Sequence, residues 1–249
     1  MKPSALRPFL NFTTLQFKFF PSTSLAIGCK WEEPANRALP FLGALGVLAF
    51  QSIAAAATTW NSPTFNVSTE IPDNNDIGLT NTQMVSASGI SQIDTVTVTI
   101  NLTGTWNGDL YAYLAHDSGF AVLLNRPGRS LDNPDGSATT GMVTTFADYA
   151  VSDIHTAIPM SGGSFTGTYQ PDGRITDPLA VLNTDSRPAM LSSFSGLNAD
   201  GSWTLFIADQ STGETSTLQS WSMKITSVPE PSATLLGCVV MMVLLRRKR

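Results

Sequence analysis

Between residues 71 and 226 apolar and polar positions alternate in short runs. Val96, Val98, Ile100 and Leu102 are separated by Thr97, Thr99 and Asn101. A period of two sends one set to a core face and the other to solvent, which predicts a β-strand. A turn at Asn107-Gly108-Asp109 leads into a second such run, in which Leu110, Ala112 and Leu114 interleave with Tyr111 and Tyr113. Residues 121–124 form a short apolar strand. Later, Trp203, Leu205 and Ile207 interleave with Thr204 and Phe206, and Trp221, Met223 and Ile225 with Ser222 and Lys224. Turn formers fill the gaps, at Asn133-Pro134-Asp135-Gly136, Pro171-Asp172-Gly173, Asn198-Ala199-Asp200-Gly201 and Ser211-Thr212-Gly213. Short strands punctuated this way predict an all-β sandwich or jelly roll, with no long amphipathic helix and no repeat array. Phase with the apolar positions places Trp203 and Trp221 in the core. Trp106 lies in a turn and is the one aromatic left open as a platform for a sugar.

Both ends of the chain break this pattern. Residues 39–57 are apolar, follow Arg37 and finish in Ala55-Ala56-Ala57. A basic flank, an apolar stretch and a small-residue exit predict a secretory signal peptide cut after Ala57, with Ala55 and Ala57 as the cleavage-site residues. An uncleaved anchor helix is the alternative. Residues 58–69 are polar and read as a linker. At the other end, Val228-Pro229-Glu230-Pro231 precedes an uncharged apolar run over 232–245, and Arg246-Arg247-Lys248-Arg249 closes the chain. Such a run, as a helix, spans about 21 Å, short of the roughly 30 Å hydrocarbon core. The basic cluster belongs on the cytoplasmic side, so the segment reads as a temporary stop during export, with a permanent anchor as the alternative.

Charge narrows the function classes. The formal net charge is -5, but the basic residues crowd into the ends. Between Arg37 and Arg246 only Arg126, Arg129, Arg174, Arg187 and Lys224 are basic, against seventeen acidic residues. That imbalance excludes nucleic acid, whose phosphates need Lys and Arg. Cys29 and Cys238 lie in the two ends, so the central section has no internal disulfide and depends on core burial.

Two family resemblances add to this reading. The order Val228-Pro229-Glu230-Pro231, apolar run, Arg246 to Arg249 resembles the PEP-CTERM sorting signal of Gram-negative bacteria. The resemblance implies recognition by an exosortase-type membrane enzyme, removal of the tail, and association with the cell surface or an exopolysaccharide matrix. The central section is similar to the P domain (P/Homo B domain) of proprotein convertases. The similarity rests on Ile71-Pro72-Asp73-Asn74, the run from Ile93 to Leu102, Trp106-Asn107-Gly108-Asp109-Leu110, Leu191-Ser192-Ser193-Phe194-Ser195-Gly196, Gly201-Ser202-Trp203-Thr204-Leu205 with Asp209, and Leu218-Gln219-Ser220-Trp221-Ser222-Met223. It implies a jelly-roll β-sandwich of the kind that packs beside a subtilisin-like protease domain. No protease domain precedes the module in this sequence, and residues 126–184 fit the family pattern poorly and are expected to carry long loops. The expected organisation is an N-terminal extension with signal peptide over 1–57, a linker over 58–69, a P/Homo B-like sandwich over 70–227 and the sorting signal over 228–249.

Candidate chemistry is sparse. His116 and His155 are the only imidazoles, and no Gly-x-Ser-x-Gly elbow or subtilisin-like serine context accompanies them. No phosphate-binding loop is present, and two histidines without neighbouring cysteines do not suggest zinc. The expectation is therefore no catalytic residues, despite the family's association with serine-type endopeptidases. A structural calcium ion is the ligand considered, held by Asp73, Asp76, Asp109 and Asp209; the alternative for Asp73 and Asp109 is an ordinary Asx turn. Two function classes remain. One is an exported structural or binding module at the cell surface, with a surface polysaccharide as partner. The other is an accessory domain for a separately encoded subtilisin-like protease.

Overall fold

The computed structural model describes residues 56–157, 159 and 163–229. Ala55, Glu230, Pro231 and Arg246, Arg247, Lys248 and Arg249 lie outside the described residues, with the signal-peptide and sorting-helix segments. Of the processing residues, Ala57, Val228 and Pro229 are described, and all three are exposed.

Among the described residues, ten strands make two sheets. They are β1 (Thr59–Asn61), β2 (Phe65–Glu70), β3 (Leu79–Val85), β4 (Ile93–Gly104), β5 (Leu110–His116), β6 (Gly119–Asn125), β7 (Met142–Phe146), β8 (Phe165–Tyr169), β9 (Gly201–Asp209) and β10 (Ser216–Ser227). One sheet runs β1-β10-β4-β7-β8, with β2 also paired to β10; the other runs β3-β9-β5-β6. All pairings are antiparallel except β7 with β8. The only helices among the described residues are two 3-10 turns, Asn107–Asp109 and Leu191–Phe194, and none is long and apolar enough to cross a membrane.

The alternation seen in the sequence becomes the inner faces. Val96, Val98, Ile100 and Leu102 of β4, Leu110, Ala112 and Leu114 of β5, Trp203, Leu205 and Ile207 of β9, and Trp221, Met223 and Ile225 of β10 share one core. Trp203 and Trp221 are wholly enclosed, and each indole N–H finds an acceptor, Ala199 O at 2.9 Å and Asn81 Oδ1 at 2.8 Å. The continuous apolar run of β6 is buried because a loop covers it. Gly173 N–H donates to Val122 O, Asp172 N–H to Leu123 O, and Val122 N–H to Ala189 O.

The linker expected over 58–69 is instead part of the sandwich. Thr59 pairs with Thr226 and Phe65 with Trp221, so both segments extend the edge of β10. An edge strand pairs on one side only, which relaxes the demand for apolar alternation and makes it read as polar linker. The pairing also brings the two ends of the domain together. Ser227 N–H donates to Thr58 O at 2.8 Å, and Thr58 N–H to the Ser227 hydroxyl at 2.8 Å.

Candidate functional site

Three of the four acidic residues considered for calcium meet at one corner. Leu110 pairs with Asp209 across β5 and β9, which sets Asp109 beside the end of β9, where Gln210 N–H donates to Asp109 O at 2.9 Å. The loop before β3 folds onto the same place. Asn75 N–H donates to Asp209 O at 2.9 Å, and both Asp73 carboxylate oxygens lie 3.2 Å from Gly213 N. Asp76 is not part of this corner; it lines a groove with Tyr111, Asp177 and Phe206.

Arg126 changes what the corner can do. Its guanidinium lies 3.2 Å from Asp109 Oδ1 and its Nε–H donates to Gly108 O at 2.9 Å, with both side chains almost wholly buried. Burial pushes the Asp109 carboxyl from 3.8 up to about 6; Arg126 opposes this and Asp209 adds to it. Burial also pushes Asp209 up, and Asp73 contributes in the same direction, while the Ser211 backbone N–H opposes. The guanidinium supplies one positive charge beside Asp109. Among the described residues no three His, Cys, Asp or Glu side chains are placed to share a metal. The simple turn alternative does not describe Asp73 and Asp109: Asp73 reaches across to Gly213 and Asp109 to Arg126, and at this corner the Asx turn belongs to Asp209, whose carboxylate accepts Ser211 N–H at 3.1 Å.

Both histidines are enclosed and fully occupied. His116 has Nδ1 at 3.0 Å from Ser202 O and Nε2 at 2.7 Å from Asn198 O, and its ring stacks on Trp203 at 4.0 Å between centroids. His155 has Nδ1 at 2.7 Å from Asp172 Oδ2 and Nε2 at 2.9 Å from Arg129 O. A His–Asp pair at that distance is one half of a hydrolytic triad. Here the nitrogen that would face a nucleophile is spent on a backbone carbonyl, and no serine hydroxyl bonds either ring among the described residues. A general base needs a lone pair within reach of the proton it takes, and in both rings each nitrogen faces an oxygen of the fold itself.

His155 belongs to a buried ionic network that the sequence pattern did not reveal. Arg174 holds Asp153 Oδ2 at 2.9 Å and Asp172 Oδ1 at 3.1 Å. Arg187 donates to Pro171 O at 2.6 Å, Asp172 O at 2.8 Å and Gln170 Oε1 at 2.9 Å. Arg129 donates to Val181 O and Leu179 O, both at 2.6 Å. The signal available in the sequence was scarcity: four arginines in a cation-poor section all fall in the stretch from 126 to 187.

Trp106 differs from Trp203 and Trp221, which are enclosed, and from Trp60, which packs against the core from β1. It is half-buried, with φ 58° and ψ 61°, and its Nε1–H donates to Asp135 O at 3.0 Å. Its ring lines an open groove of about 400 Å³ with Asn133, Asp135, Ser137 and Thr139.

Comparison with known proteins adds a partial match. No curated protein matches the sequence. Among solved structures, the chain is similar to the serine protease of Aeromonas sobria, at 13% identity over 68% of this chain and 27% of that one, with a TM-score of 0.35. It is likewise similar to the structure of that protease in complex with its chaperone, at 15% identity over 69% of this chain and 27% of that one, also with a TM-score of 0.35. The chain thus spans about a quarter of the length of those structures. Residues 181–225, which carry β9 and most of β10, match the proprotein convertase P-domain family model.

Proposed function

We propose that this chain is an exported, non-catalytic β-sandwich module that acts by binding at the cell surface, with a surface polysaccharide as its partner. One observation carries the non-catalytic part: each histidine has both ring nitrogens committed to acceptors inside the fold. Contacts of this kind support a packing role for both imidazoles rather than activation of a serine or a water.

Export and sorting rest on the two ends of the sequence. The apolar segment ending at Ala57 acts as the signal peptide. The tail from Val228 through Arg246, Arg247, Lys248 and Arg249 acts as a PEP-CTERM-type signal for an exosortase-type enzyme. The contact between Thr58 and Ser227 fits this reading, because it lets both tethers leave from one place, as domain termini often do. Intact-mass analysis of chain recovered from the cell surface tests it. The expected species begins near Thr58 and lacks Arg246 to Arg249. A surface species retaining residues 39–50 or the basic tail would contradict it.

A second reading is favoured by the P-domain match over residues 181–225. In it the sandwich is a jelly-roll P domain that supports a separately encoded subtilisin-like protease. The two readings differ in what the surface protein is bound to, polysaccharide or protease.

A further inference from the structure

Trp106 adopts a backbone conformation that its side chain disfavours. The left-handed region costs a non-glycine residue about 1–2 kcal/mol, and a bulky side chain there is an outlier. Glycine would take the position freely. Arg126, the residue that buttresses the same turn through Gly108 O, is also left-handed, at φ 51°. Trp203 and Trp221 are accounted for by burial, but Trp106 keeps part of its ring in solvent. An observed outlier at a surface aromatic is a reason to look for a ligand.

The ring is held rigidly. Its N–H is tied to Asp135 O, and the backbone beneath it is a crossing of two glycines. A Cβ on Gly108 would lie 2.2 Å from Ser137 N, and one on Gly136 would lie 2.9 Å from Gly108 Cα. Gly108 N–H donates to Ser137 O at 2.9 Å, and Asn107 Nδ2 to Thr139 Oγ1 at 3.0 Å. The groove is thus preformed, at the lower end of the size range for small-molecule sites, roughly 300–1,000 Å³.

Two of its free polar side chains offer acceptors. Asn133 spends its amide N–H groups on Gly128 O at 3.1 Å and Gly136 O at 2.7 Å, which leaves Oδ1. The Asp135 carboxylate has no hydrogen-bond partner among the described residues and is exposed. Acceptors beside an aromatic face suit a ligand rich in hydroxyl donors with an apolar C–H face. Asp132 and Asp135 disfavour an anionic one. A cation is the poorer match, because attraction to an exposed carboxylate is weak in water.

We propose that the Trp106 groove binds a neutral pyranose unit of a polysaccharide, stacked on the indole and hydrogen-bonded to Asp135 and Asn133. This deepens the surface-module reading and rests on it for where the sugar is met. The test is isothermal titration of the full chain, in a detergent without a sugar headgroup, against maltohexaose and cellohexaose, with polygalacturonate and polylysine as controls. One of the neutral hexaoses is expected to bind. Trp106→Gly, which removes ring and backbone strain together, is expected to weaken binding by about tenfold or more. Asp135→Ala, at an exposed position that leaves the carbonyl partner of Trp106 in place, is expected to weaken it several-fold with unchanged melting. No binding of either hexaose, undiminished binding by Trp106→Gly, or binding of polylysine or polygalacturonate alone would overturn the proposal. Surface location is scored separately by fractionation. Surface protein that binds no hexaose sinks the groove alone, and hexaose-binding protein absent from the surface sinks the surface reading alone.

Discussion

Arg174 shows how the loops between β7 and β9 are held. It faces Asp153 and Asp172, and Asp172 in turn takes the His155 imidazole and the Asn125 backbone N–H. Removing one partner of a buried ionic group leaves the others uncompensated, typically at about 3–5 kcal/mol. Arg174→Met is therefore expected to lower unfolding free energy by about that amount in urea denaturation, and an unchanged midpoint would show that the network is dispensable. Asp109 makes a different prediction. Its folded pKa lies above its ordinary value, so the folded state binds the proton more tightly than the unfolded state does. The stability this gives is complete below 3.8 and is lost as pH rises through about 6. Asp209 is displaced in the same direction. The wild type should lose melting temperature relative to Asp109→Asn as pH rises from 3.8 to about 6, and the two should run parallel above it; parallel curves throughout would refute the shift. These residue-level features were hard to read from sequence. Asp109 stood out by its turn, but its partner Arg126 lies beyond a whole hairpin, and His155, Asp172 and Arg174 sit in loops where no periodicity marks burial.

The strands divide by how many neighbours they have. β4, β5, β9 and β10 lie inside their sheets, and their alternation was plain in the sequence. β1, β2, β3 and β8 lie at edges, and none was recognisable; β6 is also an edge strand but its continuous apolar run was plain, while β7 lies inside its sheet and was not recognised. In β3 the inner face carries Asn81 and Gln83 among Leu79 and Val85, which hides the period of two. Those polar groups have partners: Asn81 Oδ1 accepts the Trp221 indole N–H at 2.8 Å and the Gln83 amide at 2.9 Å. β10 has its own irregularity, a bulge between Leu218 and Ser220 that shifts the phase, so Leu218 and Trp221 both face inward. The phase reading of Trp203 and Trp221 leads to a direct expectation. Each Trp→Ala change should cost about 3–5 kcal/mol by equilibrium denaturation. Unchanged melting for both would mean that these strands present other faces to the core.

At the scale of the molecule, the sandwich joins a well-packed interior to an acidic exterior, with its two ends leaving side by side. Its polar interior is spent on holding loops, and the one strained surface aromatic borders a groove. The most direct measurement is crosslinking on intact cells, followed by capture of the full chain and analysis of what comes with it. The account predicts chain in the surface fraction, coupled to a neutral polysaccharide. Chain confined to the cell interior, or recovered with a subtilisin-like protease in equal amount and no polysaccharide, would contradict it.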